Sequence, residues 1–203
     1  RELFSEKLED FDLIIFDRYQ RRGVLPLHYL DNVSQYVLNG GAVLIAAGDK
    51  FATPLSLANT PLEQILPALP TGQVIDKPYK PTVTSKGERH PVTHSLPKSN
   101  KGKPDWGRWF RLVQANVNEG ETLMNGADEQ PLLVLNRLGE GRIALLLSDH
   151  AWLWARSYEG GGPYTTLLRR LSHWLMKEPD LEEEALTAVG EGRTLVLQRR
   201  SMQ

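Results

Sequence analysis

Asp17, Asp49, Asp149 and His150 carry most of the chemistry that this sequence can offer. Each stands just after a short apolar run of strand type: Phe11 to Phe16, Ala42 to Ala47 and Arg142 to Ser148. In an open α/β sheet, ligands bind beyond the carboxyl ends of the strands, so residues at those positions can share a crevice. A carboxylate beside an imidazole can perform general acid–base work if burial or neighbouring charge brings the pKa values toward neutrality. On that reading Asp49 is nucleophile or base and His150 its acid–base partner. The competing reading is that Asp17 and Asp49 cap helices or pair with Arg18, Arg21 or Lys50, a common fate of strand-end carboxylates. Arg18, Trp152 and Arg156 complete the set of ligand-binding candidates. The ring of Trp152 could stack on a sugar face or anchor a protein partner. Arg156 and Tyr158 precede Gly160-Gly-Gly-Pro163, where backbone N–H groups at a helix start could hold an anion. No lysine follows in P-loop position, which speaks against a nucleotide phosphate, and a purely structural turn competes.

Other chemistries are excluded or weakened. The 203 residues include no cysteine, which removes disulfides, thiolate-ligated zinc, CxxC redox chemistry and any thiol nucleophile. His90 and His94 stand four apart, but Pro91 disfavours helical geometry at His90 and no glutamate sits between them. No metal and no cofactor are therefore expected. With 24 basic against 25 acidic side chains and a net charge of −1, no nucleic-acid partner is expected either. The basic run from Lys98 to Arg111 reads as a solvated loop, and Glu182-Glu-Glu184 as a solvated acidic face or helix start. Of the four tryptophans in two short segments, Trp152 and Trp154 alternate as on a strand, so at most one of that pair should face inward.

The elements that would position these residues follow from periodicity. Phe11 to Asp17 is nearly continuously apolar, as in a strand buried on both faces. Leu27, Leu30, Val33, Val37 and Leu38 recur at helical spacing after Pro26, and Asn39-Gly40-Gly41 ends that helix. Ala42 to Ala47 is a second buried strand, giving a βαβ unit and two parallel strands. Thr60 to Leu69 suggests a short helix; Thr71 to Asp105, rich in proline, reads as a long loop. Pro131 to Asn136 and Arg142 to Ser148 are strands joined by Arg137-Leu-Gly-Glu-Gly141, whose glycines suit a hairpin. Tyr164 to Met176 is a helix. Leu186 to Val189 and Thr194 to Gln198 flank Gly190-Glu-Gly192 as a terminal hairpin.

Tyr36-Val-Leu-Asn-Gly-Gly-Ala-Val-Leu-Ile45, His90-Pro-Val-Thr-His94 with Leu96, and Gly139 to Trp154, together with Phe11 to Phe16, resemble class I glutamine amidotransferase-like domains. Trehalose-utilisation-type domains belong to the same, more distant, branch. Gly160 to Pro163 followed by His173-Trp-Leu-Met-Lys-Glu-Pro179 is similar to such domains in large bacterial membrane proteins that also carry aerotolerance-type or von Willebrand factor A-like regions. The resemblance covers residues 10 to 186. It implies a flavodoxin-like three-layer α/β sandwich with a mostly parallel central sheet, over residues 1–186. A C-terminal β-hairpin, residues 187–203, would pack on that domain or begin the next one. It also implies a membrane-anchored parent, with this soluble domain on the periplasmic side of an inner membrane, and a chain that starts inside the parent domain.

The family's nucleophilic cysteine would fall in Ala46-Ala47-Gly48-Asp49-Lys50, which holds neither cysteine nor serine. His150 matches the family's histidine, but without a thiolate it cannot carry acyl transfer from glutamine. The expectation is a non-catalytic binding or scaffolding domain for a protein partner or small polar ligand. Two alternatives stand beside it: a hydrolase using Asp49 and His150, on a carbohydrate for instance, and a purely structural spacer.

Overall fold

The computed structural model describes residues 2–5, 7–98, 104–191 and 194–200. After a one-turn helix α1 (Glu2–Ser5), the chain forms β1 (Ile14–Asp17), α2 (Leu27–Leu38) and β2 (Ala42–Ala46). The helix starts directly after Pro26, whose fixed φ suits a helix entry, and Gly40 takes φ +109 just beyond its end. β1 and β2 pair in parallel, Ile14 opposite Val43 and Asp17 opposite Ala46. The βαβ unit read from periodicity is therefore present.

The rest of the sheet departs from expectation. Among the described residues it has six strands in the order β1-β2-β8-β7-β6-β4, with β4 (Thr82–Val83), β6 (Glu121–Asn125), β7 (Pro131–Leu138) and β8 (Gly141–Leu146). β2 pairs with β8 in parallel, but β8–β7, β7–β6 and β6–β4 are antiparallel. The sheet is mixed, with antiparallel pairings in the majority, and the flavodoxin-like, mostly parallel sandwich is corrected accordingly. The cause is local. A tight turn through Gly139 at φ +61 joins β7 to β8, and a connection that short can join only antiparallel strands.

The long loop read from prolines is also corrected. Ala68–Ile75 forms β3 and pairs antiparallel with β5 (Leu112–Val117) in a separate two-stranded sheet, its register shifting between Pro70 and Val74. The short helix at 60–69 shrinks to a 3-10 turn over Pro61–Ile65, capped by the Thr60 hydroxyl. Trp152 and Trp154 lie on a short helix, α3 (Trp152–Ala155), rather than a strand. Residues two apart point in nearly opposite directions on either element, so Trp154 is buried while Trp152 is 51% exposed.

α4 (Tyr164–Leu175) packs over the sheet face carrying Ile15, Leu44, Ala46 and Leu146, while α2 covers the opposite face. One hydrophobic cluster spans both faces, with Val43, Ile45, Ile143 and Leu145 at most 1% exposed. α4 leaves the β1 end of its face open, so Ile15 is exposed although its neighbour Phe16 is buried. The terminal hairpin pairs β9 (Ala185–Glu191) with β10 (Thr194–Arg200) in antiparallel register. Gly192, assigned to its turn from sequence, lies outside the described residues. No described helix is long and apolar enough to cross a membrane, and the structure gives no support to the membrane-protein fragment that the resemblance implies.

Two polar segments are more deeply engaged than their composition suggests. The run from Lys98 to Arg111 contains two fully buried rings, Trp106 and Trp109, packed 5.2 and 4.7 Å from the Trp154 ring. Its residues 99–103 lie outside the described set. Glu182 and Glu183, read as a solvated face, instead bind Arg142, Arg137, His90 and Trp174.

Candidate functional site

β1, β2 and β8 run in parallel, so their carboxyl ends meet along one edge of the sheet. A hollow of about 520 Å³ opens there, within the usual size range of small-molecule sites. Its floor is aliphatic. Ile15, Leu44 and Leu146 lie on one face because the registers place Ile15 opposite Leu44 and Ala46 opposite Leu146. One wall is a stripe of α4, Tyr164, Leu168 and Ser172, spaced four apart on one helical face.

Asp17, Arg18, Asp149, Trp152 and Arg156 line the hollow together. Asp17 and Arg18 are exposed and approach each other at 3.6 Å, a solvated contact of little energetic weight. Arg18 adopts φ +48, unusual for a side-chain-bearing residue, and its N–H donates to Ala46 O at 2.9 Å. Arg156 follows α3 and has no ion-pair partner among the described residues.

Asp149 is the buried charged group of the site, its side chain 9% exposed. Its Oδ2 lies 3.5 Å from an Arg111 guanidinium nitrogen, while Oδ1 is buried without any hydrogen bond and only faces His150 Nε2 at 3.8 Å. Below it, the Ser148 and Tyr79 hydroxyls both donate to Arg111 O, at 2.5 and 2.9 Å. Burial drives the Tyr79 phenol well above its ordinary value, so it remains a neutral donor.

Asp49 and His150 do not line the hollow and share no hydrogen bond or ion pair. Asp49 opens a 3-10 turn, where Lys50 donates to it at 3.0 Å and holds its pKa below the ordinary carboxylate value. His150 accepts the Phe110 N–H on Nδ1 at 3.1 Å. Burial lowers its pKa, opposed in part by the Asp149 charge. Each is engaged by a partner other than its counterpart.

The glycine-rich loop serves packing. A Cβ on Gly162 would sit 2.3 Å from the Trp154 ring, and Trp154 Nε1–H donates to Gly107 O at 2.8 Å. Gly162 lets the indole lie against the entry to α4, which sets the wall of the hollow.

Sequence reading missed Ser148, Tyr79, Arg111 and the aliphatic floor. The stripe Tyr164, Leu168, Ser172 was legible as a periodicity; Arg111 and Tyr79 reach the site from segments with no such signal.

No protein-family model and no curated protein matches this sequence. Solved structures do resemble it. A cytoplasmic protein from Salmonella typhimurium (STM3548) superposes with a TM-score of 0.66 at 20% identity, over 84% of this chain and 74% of that one. The N-terminal domain of mmIFT52 gives 0.62 at 15% identity, over 87% and 82%. A β-galactosidase from Rahnella sp. R3 gives 0.54 at 14% identity, over 98% of this chain but 28% of that one. At these identities the likeness is one of fold alone.

Proposed function

We propose that this chain is a non-catalytic, amidotransferase-like binding domain that takes a small polar ligand in the hollow at the carboxyl ends of β1, β2 and β8. The observation that carries this reading is the convergence there of Asp149, Arg156 and an exposed Trp152 ring around an aliphatic floor. A concave apolar site with a few converging polar groups is the usual form of a small-molecule site. The chain has no cysteine to attack a carbonyl, and Asp49 and His150 are each held by other residues, Lys50 and Phe110, rather than by one another. A hydrolytic pair is therefore not the reading we favour.

A thermal-shift screen of sugars and small organic acids against the full chain tests the proposal. A ligand at about a hundredfold its Kd should raise Tm by roughly 5–10 °C, and Trp152→Ala should abolish the rise. Absence of any Trp152-sensitive ligand would sink the binding reading. Conversion of a bound ligand to product, followed by NMR, would sink its non-catalytic part.

A further inference from the structure

The hollow is long, and its polarity changes along its length. α4 starts beside α3, where Gly162 lies against the Trp154 ring, and runs back over the sheet, so that Trp174 near its end accepts from Arg142 at the start of β8. Tyr164 and Ser172, both on the α4 wall, are eight positions apart, a rise of about 12 Å. The hollow therefore extends from the charged strand ends along the sheet face, over Ile15 and Leu44. Ile15 is 55% exposed there, an aliphatic side chain in the middle of a strand with nothing laid over it. A ligand polar on every side, such as a neutral sugar, would leave much of its hydroxyl surface against this hydrocarbon, where an unmade hydrogen bond is costly.

Charge at the mouth narrows the class. Asp17 has Arg18 at 3.6 Å, and Asp149 turns its carboxylate toward Arg111 and His150, with Oδ1 closed off from solvent. Arg156 is exposed and has no ion-pair partner among the described residues. One cation is thus left over among the groups that line the mouth, which suits a monoanion. A dianion such as phosphate would meet Asp17 with charge to spare, and an ammonium head would find no unpaired carboxylate. The guanidinium fork matches a carboxylate.

We infer that the hollow takes a medium-chain monocarboxylate of about octanoate length. The carboxylate sits on Arg156 beside Trp152, and the chain lies over Ile15 and Leu44, against Leu168, toward Ser172. This rests on the reading of the hollow as a ligand site and makes the polar part of that ligand a single carboxylate.

Calorimetric titration of the full chain with butyrate, hexanoate, octanoate and dodecanoate tests it, with octanol and octylammonium as controls for the head group. Affinity should rise about threefold per CH2 as far as octanoate and level off by dodecanoate. Octanoate should bind about fivefold tighter than octanol, the effect of one exposed charge pair, and octylammonium weakest of the three. Arg156→Gln should remove the advantage over octanol and leave octanol unchanged. Ile15→Ser should weaken octanoate and octanol alike, by about fivefold. Both variants should keep their Tm, because both side chains are exposed. Equal affinity for the three head groups, an affinity that climbs unbroken to dodecanoate, or octanoate binding indifferent to either substitution overturns the inference. If lactate or a neutral sugar binds in a Trp152-dependent manner and octanoate does not, the ligand class is wrong and the binding domain stands. If none of these compounds binds, both fail.

Discussion

His90 Nε2 lies 3.0 Å from Glu183 Oε1, although the two residues are 93 positions apart in the chain. His90 Nδ1 meanwhile accepts the Val92 N–H at 3.2 Å, so the imidazole is neutral and its remaining proton is the one given to Glu183. The contact is a hydrogen bond of a neutral ring rather than an ion pair. Burial is the main cause, lowering the His90 pKa to about 4; Glu121 opposes the shift, and the cationic Arg137 and Arg142 reinforce it. The Trp174 indole adds a second donor to the same Glu183 oxygen, at 2.9 Å.

A pH dependence follows. The folded pKa lies below the unfolded value of about 6.5, so between about 6.5 and 4 the unfolded chain binds more protons and stability falls as pH falls. The contribution, present in full above pH 6.5, should amount to about 3 kcal/mol lost by pH 4. Urea denaturation across this range, with His90→Gln as comparison, checks it. An identical slope in the variant would assign the loss to other groups.

Arg142 is buried, donates to Glu182 Oε1 at 2.5 Å and to Trp174 O, and lies with its guanidinium 5.0 Å from the Trp174 ring centroid. Burial alone would raise the Glu182 pKa, but the hydrogen bonds from Arg142 and Arg137 outweigh it and the carboxylate stays ionised. Arg142→Ala should destabilise the chain by about 3 kcal/mol, since breaking a largely buried pair leaves its partner uncompensated. Arg142→Met, which keeps the packing volume, should cost less. Chemical denaturation of both variants separates the two effects.

Gly162→Ala should destabilise by about 1–3 kcal/mol, because its Cβ would overlap the Trp154 ring and force the indole or the start of α4 to move. If the hollow depends on that wall, ligand affinity should fall together with Tm. A Tm within 1 °C of the parent would show that the loop yields without strain.

Trp152→Ala should have the opposite profile. The ring is half exposed, so stability should change by no more than about 0.5 kcal/mol while ligand binding is lost. A large fall in Tm would make Trp152 a packing residue instead.

His150 should titrate below its ordinary value, because burial and the Phe110 N–H on Nδ1 both favour the neutral ring. As for His90, a lowered folded pKa makes its contribution to stability fall as pH drops below the unfolded value of about 6.5. Imidazole resonances followed by NMR report the midpoint directly. A midpoint above 6.5 would mean that the Asp149 charge dominates over burial.

Parts of this protein could be read from the sequence because they depend on neighbours along the chain. The apolar runs ending at Asp17 and Ala46, and the helical spacing from Leu27 to Leu38 between them, fixed a βαβ unit with its strand ends on one edge. The absence of cysteine settled which nucleophile is missing. The turn at Gly139 also announced an antiparallel pair, so the expectation of a mostly parallel sheet came from family likeness and not from these residues. What tertiary structure alone decided concerns residues whose fate depends on distant partners. Glu183 looks solvated beside its charged neighbours, yet His90, Arg137 and Trp174 hold it. Asp49 and Asp149 are alike as strand-end carboxylates, but Lys50 engages one in solvent and the sheet buries the other beneath the hollow. Periodicity reports which face a side chain takes; only the packing of remote segments decides how much water and which counter-charge it meets there.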